Sequence, residues 1–436
     1  MKAKSIRPNY LCLQLLQLYP VWFLVLILPL KVLGQETPKT VPDGTEGEVI
    51  QVLDSTTQKK PWNMFESSFT TFKFGAAFIY EYSAYGPDET AKTQVDSLDG
   101  ELKNTFDVRD FRVLVSGQLK TKRTITWKAG IMYDGDKSSW FVRESGVMIG
   151  TPEIWGSVFI GRTKEGISLS KVMNGYSVES MERHMAIDAV PILADGIKWL
   201  GYLPKQKIVW NMGIYADWLS KDQGFSTYSW QFATRVGWLP ILSEEKKTTL
   251  HVGANFRLGQ PEDNAIRLKS RPESNSAPFF LDTGTFSSNQ ATFTGLELYY
   301  NRGPFMVGTE YHWQKFNSHE LNNPVFEGGE VFVSYILTGS HRPYMTSAGI
   351  FTFVPVRKSV FEGGWGEIEA LVRYSEYELN HGSIQGGSLW KITPMVNWFL
   401  SSNVRFEVAY GYGVLDRFNQ EGATNFFQTR IQILLQ

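Results

Sequence analysis

The sequence predicts an all-β protein, a transmembrane antiparallel β-barrel of about sixteen strands. Three observations carry that expectation. Period-two alternation recurs from Phe72 to the C-terminus in segments of roughly ten residues, the length a tilted strand needs to cross a bilayer. After residue 34 no apolar run approaches the roughly 20 residues of a spanning helix. The connections alternate between tight and long, as they do when one rim of a barrel carries turns and the other carries loops.

The chain opens MKAKSIRPNYLCLQLLQLYPVWFLVLILPLKVLGQE. Lys2, Lys4 and Arg7 precede an apolar run that ends at Val32, Leu33 and Gly34, which reads as a secretory signal at residues 1–34, cleaved before Gln35. The rival reading is a retained anchor; either way the chain leaves the cytoplasm. The only cysteine, Cys12, lies in this segment, so the exported chain has no disulfide and closes by backbone pairing and apolar contact. Removing residues 1–34 takes three Lys and one Arg from the 43 basic residues and none from the 44 acids. The resulting acidic balance argues against a nucleic-acid partner. Residues 35–66 are polar and read as a periplasmic lead, and residues 67–436 as the barrel.

Strands are expected near residues 67–83, 107–118, 122–134, 140–148, 154–163, 195–203, 206–218, 227–238, 247–258, 291–301, 304–316, 328–339, 365–377, 388–400, 403–415 and 425–435. In TITWKAGIMY, Ile125, Trp127, Ala129, Ile131 and Tyr133 share one face and Thr126, Lys128 and Gly130 the other. NVRFEVAYGYGV sets Val404, Phe406, Val408, Tyr410 and Tyr412 against Arg405, Glu407, Ala409 and Gly411. Long polar connections fall at 84–106, 164–194 and 259–290, and one long connection, 340–364, stands where a short turn is due. Trp238, Tyr299, Tyr300 and Trp390 lie near strand ends, where aromatic girdles form.

The polar faces carry Arg112, Lys128, Arg235, Arg257, Arg373, Lys391, Arg405 and Arg430 together with Asp110, Glu297, Glu310, Glu367, Glu369 and Glu407. A Lys or Arg facing lipid at the midplane costs roughly 2 to 4 kcal/mol, so these groups belong on the inner face, and a barrel this wide implies a water-filled channel. Other chemistry is weakly signalled. GRTKEGIS at 161–168 has Ile167 where a phosphate loop needs Lys, and it lies among antiparallel strands. The six histidines lack the spacing of a helical zinc motif and read as solvated, so neither a metal nor another cofactor is expected. Glu367 and Glu369 share a face as a glycosidase pair would, but read equally as wall groups. The rival function is therefore a secreted soluble β protein that binds or hydrolyses polysaccharide, since sandwich strands also alternate.

The strings FIGRTKEG, SMERHMAIDA, LTGSHRPY at 337–344, GGWGEIEALVRYS at 363–375 and the terminal FFQTRIQILL resemble the phosphate-selective porin family, porins O and P. The resemblance implies a sixteen-stranded outer-membrane barrel, usually a homotrimer, in contact with outer-membrane lipid and lipopolysaccharide and passing small hydrophilic solutes or anions such as phosphate or pyrophosphate without catalysis. It also implies that the third long loop, Lys164 to about Ala194, folds into the barrel and narrows it. On that basis Arg162, Lys164, Lys171 and Arg183 are candidates for the cationic side of the constriction, Glu165 and Glu182 for its counter-charges, and Arg373 and Arg405 for cations on the wall. The alternative for each is a salt bridge that pins the loop. Two features depart from the family pattern: acids nearly match bases on the polar faces, where phosphate-selective members carry a basic ladder, and the chain ends Leu435, Gln436 rather than on an aromatic residue.

Overall fold

The computed structural model describes residues 61–98, 100–135, 138–218 and 227–435. The expected signal segment and most of the expected lead lie outside the described residues. Within them, sixteen wall strands form one closed antiparallel barrel. They are β1 (Thr71–Pro87), β2 (Thr105–Gln118), β3 (Ile125–Asp134), β4 (Ser139–Val142 and Ser145–Thr151), β5 (Gly156–Thr163), β6 (Ala194–Leu203), β7 (Ile208–Ala216) and β8 (Tyr228–Ser243). The second half comprises β9 (Thr248–Pro261), β10 (Ala291–Arg302), β11 (Phe305–Phe316), β12 (Val325–Ile336), β13 (Glu367–His381), β14 (Ile384–Phe399), β15 (Val404–Arg417) and β16 (Gln420–Leu435). The barrel closes where β1 pairs with β16, from Ala76 opposite Leu435 to Pro87 opposite Thr424. Closure leaves the wall no open edge, which a sheet in hydrocarbon requires because lipid cannot satisfy backbone N–H and C=O groups.

The alternation sorts side chains as the sequence implies. On β10, Phe293, Glu297 and Tyr299 are buried inside while Leu296 and Leu298 stand outside, 57% and 47% exposed. On β3, Thr126, Lys128 and Gly130 are buried and Ile131 is exposed. The outward apolar belt suits lipid and would be an aggregating surface on a secreted soluble protein, which removes the sandwich alternative.

Several expectations need correction. Tyr299 does not join a girdle: it shares the phase of Glu297, is fully buried, and donates from its hydroxyl to Glu310 at 2.6 Å. The fourth strand, expected at 140–148, is broken at Arg143 and Glu144. The last strand starts at Gln420 rather than 425, because Phe418 (φ 54°) and Asn419 (φ 59°) make a two-residue left-handed hairpin without the glycine that usually marks one. Residues 64–66 of the expected lead turn back and pair with Thr71–Lys73.

Three connections bond to or pack against inward-facing side chains of the wall. Residues 164–193 are nearly all buried, and their bonds reach walls far from their root at β5 and β6. Gln231 on β8 and Arg257 on β9 bond Glu165 at 2.9 and 2.6 Å, and Asn255 accepts from the Ser168 N–H at 2.7 Å. Arg405 on β15 donates to the Val178 carbonyl at 2.8 Å, Asn397 on β14 to that of Glu179 at 2.7 Å, and Gln432 on β16 to that of Tyr176 at 3.0 Å. Residues 265–288 pack Phe280 and Leu281 with Tyr377, Leu389 and Phe426. The anomalous connection is long because its 340–356 part also turns inward: Arg342 pairs with Glu369 at 2.9 Å, and Ile350 and Phe351 pack with Tyr299 and Phe332. Wall arginines thus spend their donors on loop carbonyls and carboxylates, which offsets the desolvation of groups that are costly to bury unpaired.

Candidate functional site

The segment 164–193 leaves β5 at GRTKEGIS. Gly161, with φ at +140°, lies so close to β4 that a Cβ would stand 2.3 Å from the Ser145 carbonyl oxygen. A Cβ on Gly166 would stand 2.2 Å from the Asn211 carbonyl oxygen of β7. Ser168, at φ 56°, turns the chain, and its side chain accepts from the Lys171 N–H at the start of a short helix, Leu169–Val172. The glycines here permit close approach to the wall.

The expected site residues divide into two groups. Arg162 is 2% exposed and pairs along the wall with Asp195 of β6 at 3.2 Å. Glu165 is held by Arg257 and Gln231. Lys171 is fully buried, and its ammonium makes no hydrogen bond to any described residue. Arg373 is spent on Glu273 at 2.6 Å, the Ser180 hydroxyl at 2.9 Å and the Glu182 carbonyl at 2.7 Å. The bonds of Glu165 and Arg373 run between inner segment and wall, whereas that of Arg162 stays within the wall. Lys164, Arg183, Glu182 and Arg405 border open space while also bonded: Lys164 and Arg183 donate to carbonyls of the segment itself, Arg405 to those of Val178 and Glu179, and Glu182 accepts from Arg109.

Three cavities with partly shared linings lie there among the described residues. The first, about 220 Å³, is lined by Arg109, Arg112, Arg143, Glu182, Arg183 and Arg271, among others. The second, about 40 Å³, shares Arg112 and Arg143 with the first and adds Lys128, Glu144 and Lys164. The third, about 580 Å³, shares Tyr176 and Leu434 with the second, contains Lys73 and Arg405, and lies by the β14–β15 turn, at the rim of short connections. Such turns mark the periplasmic rim of a barrel, and long loops the outer one.

The balanced charge of the polar faces breaks down at the narrow point. Arg112, Lys128, Arg143 and Lys164 line the 40 Å³ cavity against a single carboxylate, Glu144. Glu144 lies 3.3 Å from Lys128 and 4.0 Å from Lys164. Arg112 donates to Asp110 at 2.6 Å and lies over the Tyr176 ring at 4.6 Å. Arg143 makes no side-chain hydrogen bond or ion pair to any described residue. The acids of the interior are mostly neutralised elsewhere: Glu297 by Arg235 at 2.8 Å, Glu369 by Arg342, Glu273 by Arg373. Glu367 and Glu369 are no acid–base pair either, since Glu367 is bound by Arg357 at 2.9 Å.

On the segment itself, burial alone would raise the Glu182 carboxyl, but Arg109 (2.6 Å) and Arg430 overcome it and hold the group well below the usual carboxylate range. Burial pushes Arg183 down to about 10, so it stays cationic at neutral pH, and pushes Asp188 up. Burial also pushes Lys171 down to about 8, although Glu165 pulls the other way.

Sequence reasoning missed Arg143 and Arg109 altogether, and treated Arg112 and Lys128 only as wall charges. Arg143 sits at the break in β4, where alternation fails; the adjacent charged pair Arg143, Glu144 inside an alternating strand was the available signal. The expectation of solvated histidines is also wrong for His184, His251 and His312, all fully buried.

Known proteins bear on this geometry. An uncharacterized protein of Caulobacter vibrioides is 29% identical over 184 residues, 41% of this chain and 36% of that one, so the match spans about a third of that relative's length. Among solved structures, in-vitro folded OmpT, an outer membrane protein of Vibrio cholerae, is 13% identical with a TM-score of 0.51 over 85% of this chain and 99% of that one. An anion-selective porin from Comamonas acidovorans is 10% identical with a TM-score of 0.50 over 84% of this chain and 100% of that one. At these identities the two structures speak for the fold. The family described as phosphate-selective porin O and P matches residues 94–434, which takes in the wall from β2 onward, the inner connections and the cavities between them; the chain belongs to that family, and its place is the outer membrane.

Proposed function

We propose that this porin conducts anions, phosphate and pyrophosphate among them, by passive diffusion along the three cavities, and that it catalyses no reaction. One observation carries the reading: the narrowest cavity presents four cations and one carboxylate. An anion entering it exchanges water for guanidinium and ammonium donors, while a cation meets net repulsion. Residues 164–193 then narrow the lumen, with Lys164 and Arg183 on the loop side of the path and Arg112, Lys128 and Arg143 on the wall side. The wide periplasmic cavity, with Lys73 and Arg405, serves as the exit. Planar-bilayer reversal potentials in a KCl gradient test this. Anion preference is expected, weakened in Lys164→Glu; cation preference that is unchanged in Lys164→Glu would remove the proposal.

The proposed partners are two further copies of the chain, with lipid and lipopolysaccharide around the remaining wall. Strands β5 and β7 have 8 and 9 residues, whereas β8 has 16 and β13 has 15. A tilted strand of 8 residues barely spans the hydrocarbon, so this short side is best placed against neighbours rather than lipid. Cross-linking of outer membranes should give a trimer, and an exclusively monomeric product would contradict it.

A further inference from the structure

We infer that His184, Glu310 and His312 form a binding site for one divalent transition-metal ion, zinc by preference, which clamps the inner segment 164–193 to the wall. His184 precedes the short helix Met185–Asp188 of that segment, whereas Glu310 and His312 are two apart on β11 and therefore share its inward face. All three side chains are completely buried. One ligand atom from each lies within 4.8 Å of the others. From Glu310 Oε2 the distances are 3.2 Å to His312 Nε2 and 3.8 Å to His184 Nε2. Ligand atoms on a tetrahedral zinc stand about 3.4 Å apart, so the two Glu310 distances already fit such an ion and the third pair closes from within 4.8 Å. The imidazole centroids are 5.2 Å apart, close to the roughly 5 Å of two imidazoles on one tetrahedral ion, and the rings are 5° from parallel, so a rotation of the His184 ring, which no hydrogen bond holds, brings both Nε2 lone pairs onto one ion.

The hydrogen bonding points the same way. Neither ring nitrogen of His184 has a hydrogen-bond partner among the described residues, nor has His312 Nδ1. Buried polar groups are seldom left so; a metal ion would take the lone pair of the unpartnered His184 Nε2 and replace the 3.2 Å hydrogen bond between His312 Nε2 and Glu310 Oε2. Glu310 is held in the orientation a ligand needs, because its Oε1 accepts from the Ser170 N–H at 2.7 Å and the Tyr299 hydroxyl at 2.6 Å, which turns Oε2 toward both imidazoles. Outer donors of this kind fix a ligating carboxylate. His312 is seated over Gly295, where a Cβ would lie 2.2 Å from Nδ1, so the ring is pressed to the wall with Nε2 directed inward. Two imidazoles and one carboxylate favour zinc and its neighbours over magnesium or calcium, which prefer all-oxygen sites.

The test uses the full-length protein, extracted from outer membranes without chelator and also refolded into detergent micelles with and without Zn²⁺. Elemental analysis should find about one zinc per chain, and Co²⁺ refolded in its place should give the intense visible absorption of a four-coordinate site. Stoichiometry should drop at least tenfold in His184→Gln and His312→Gln and stay unchanged in His319→Gln, whose ring is exposed. Heat-modifiable migration on a gel checks that each variant still forms the barrel. Should a variant fail to assemble, the wild type alone decides: Zn²⁺ should raise the temperature of its gel transition. No stoichiometric metal in the wild type, or equal binding by folded His184→Gln, would overturn the inference.

Discussion

The cleanest perturbation of the proposed path is Arg143→Glu. Arg143 borders both the 220 Å³ and the 40 Å³ cavities and makes no side-chain bond within the described chain, so its replacement should leave the barrel intact. The narrow cavity has room for only a few water-sized groups, so an ion within it touches the residue 143 side chain at roughly 4 Å. At that distance a unit charge acts with about 1 kcal/mol in water and about 4 kcal/mol at the lower effective dielectric of a protein surface. Taking the aqueous end for a wet pore, Arg143→Gln should lower anion partitioning about fivefold, and Arg143→Glu, a change of two charges, roughly thirtyfold. The chloride-to-potassium permeability ratio, from reversal potentials of purified protein in planar bilayers, reads this directly. A ratio in Arg143→Glu within about twofold of the wild type, with the heat-modifiable band preserved, would refute the assignment of this cavity to the conducting path.

Three further outcomes follow from the buried charges and the tight root of the segment. Glu182→Gln leaves Arg109 and Arg430 each short of a carboxylate, although Asp110 and Glu81 remain to them; it should cost about 3 kcal/mol, read as a lower temperature of gel-mobility conversion, with anion preference maintained. Lys171→Met should stabilise the barrel at pH 7 by about 3 kcal/mol, because burial holds the Lys171 ammonium at about 8 against 10.5 in the unfolded chain. Below pH 8 both states are protonated and the wild type bears the full penalty; between 8 and 10.5 the folded state binds fewer protons, so wild-type stability rises with pH and the variant's advantage disappears. An advantage that does not change from pH 7 to pH 10.5 would contradict this. Gly161→Ala places a Cβ 2.3 Å from the Ser145 carbonyl at a backbone angle of +140°, and should cost about 3 kcal/mol or prevent assembly, seen as loss of the protein from outer-membrane fractions.

The wall was legible because lipid outside and polar contents inside impose one rule on every residue of a strand. Each of the sixteen expected segments overlaps a wall strand, and the largest shifts are strand ends: β8 runs on to Ser243 and β16 starts at Gln420, where Phe418 and Asn419 turn the chain without a glycine to mark it. The contents of the barrel were harder to read. Whether Arg373 lines a path or holds a loop depends on where Glu273 stands, a hundred residues away in a different connection. Arg162 and Lys164, two residues apart and equally basic, end in a wall ion pair and a cavity lining respectively, because the chain leaves the wall between them. The even balance of acids and bases holds for the polar faces as a whole, but it does not report which acids pair with arginines, and the 40 Å³ cavity keeps one carboxylate. The join of His184 to His312 needs the segment to cross the lumen, and no local spacing records that.

The central claim, an anion path through a cationic narrow point, is tested most directly by single-channel recording of the wild-type protein in KCl with phosphate added as a competitor. The expected result is a chloride current that phosphate diminishes in a saturable, concentration-dependent way. A cation-selective current, or a chloride current indifferent to phosphate, would contradict it.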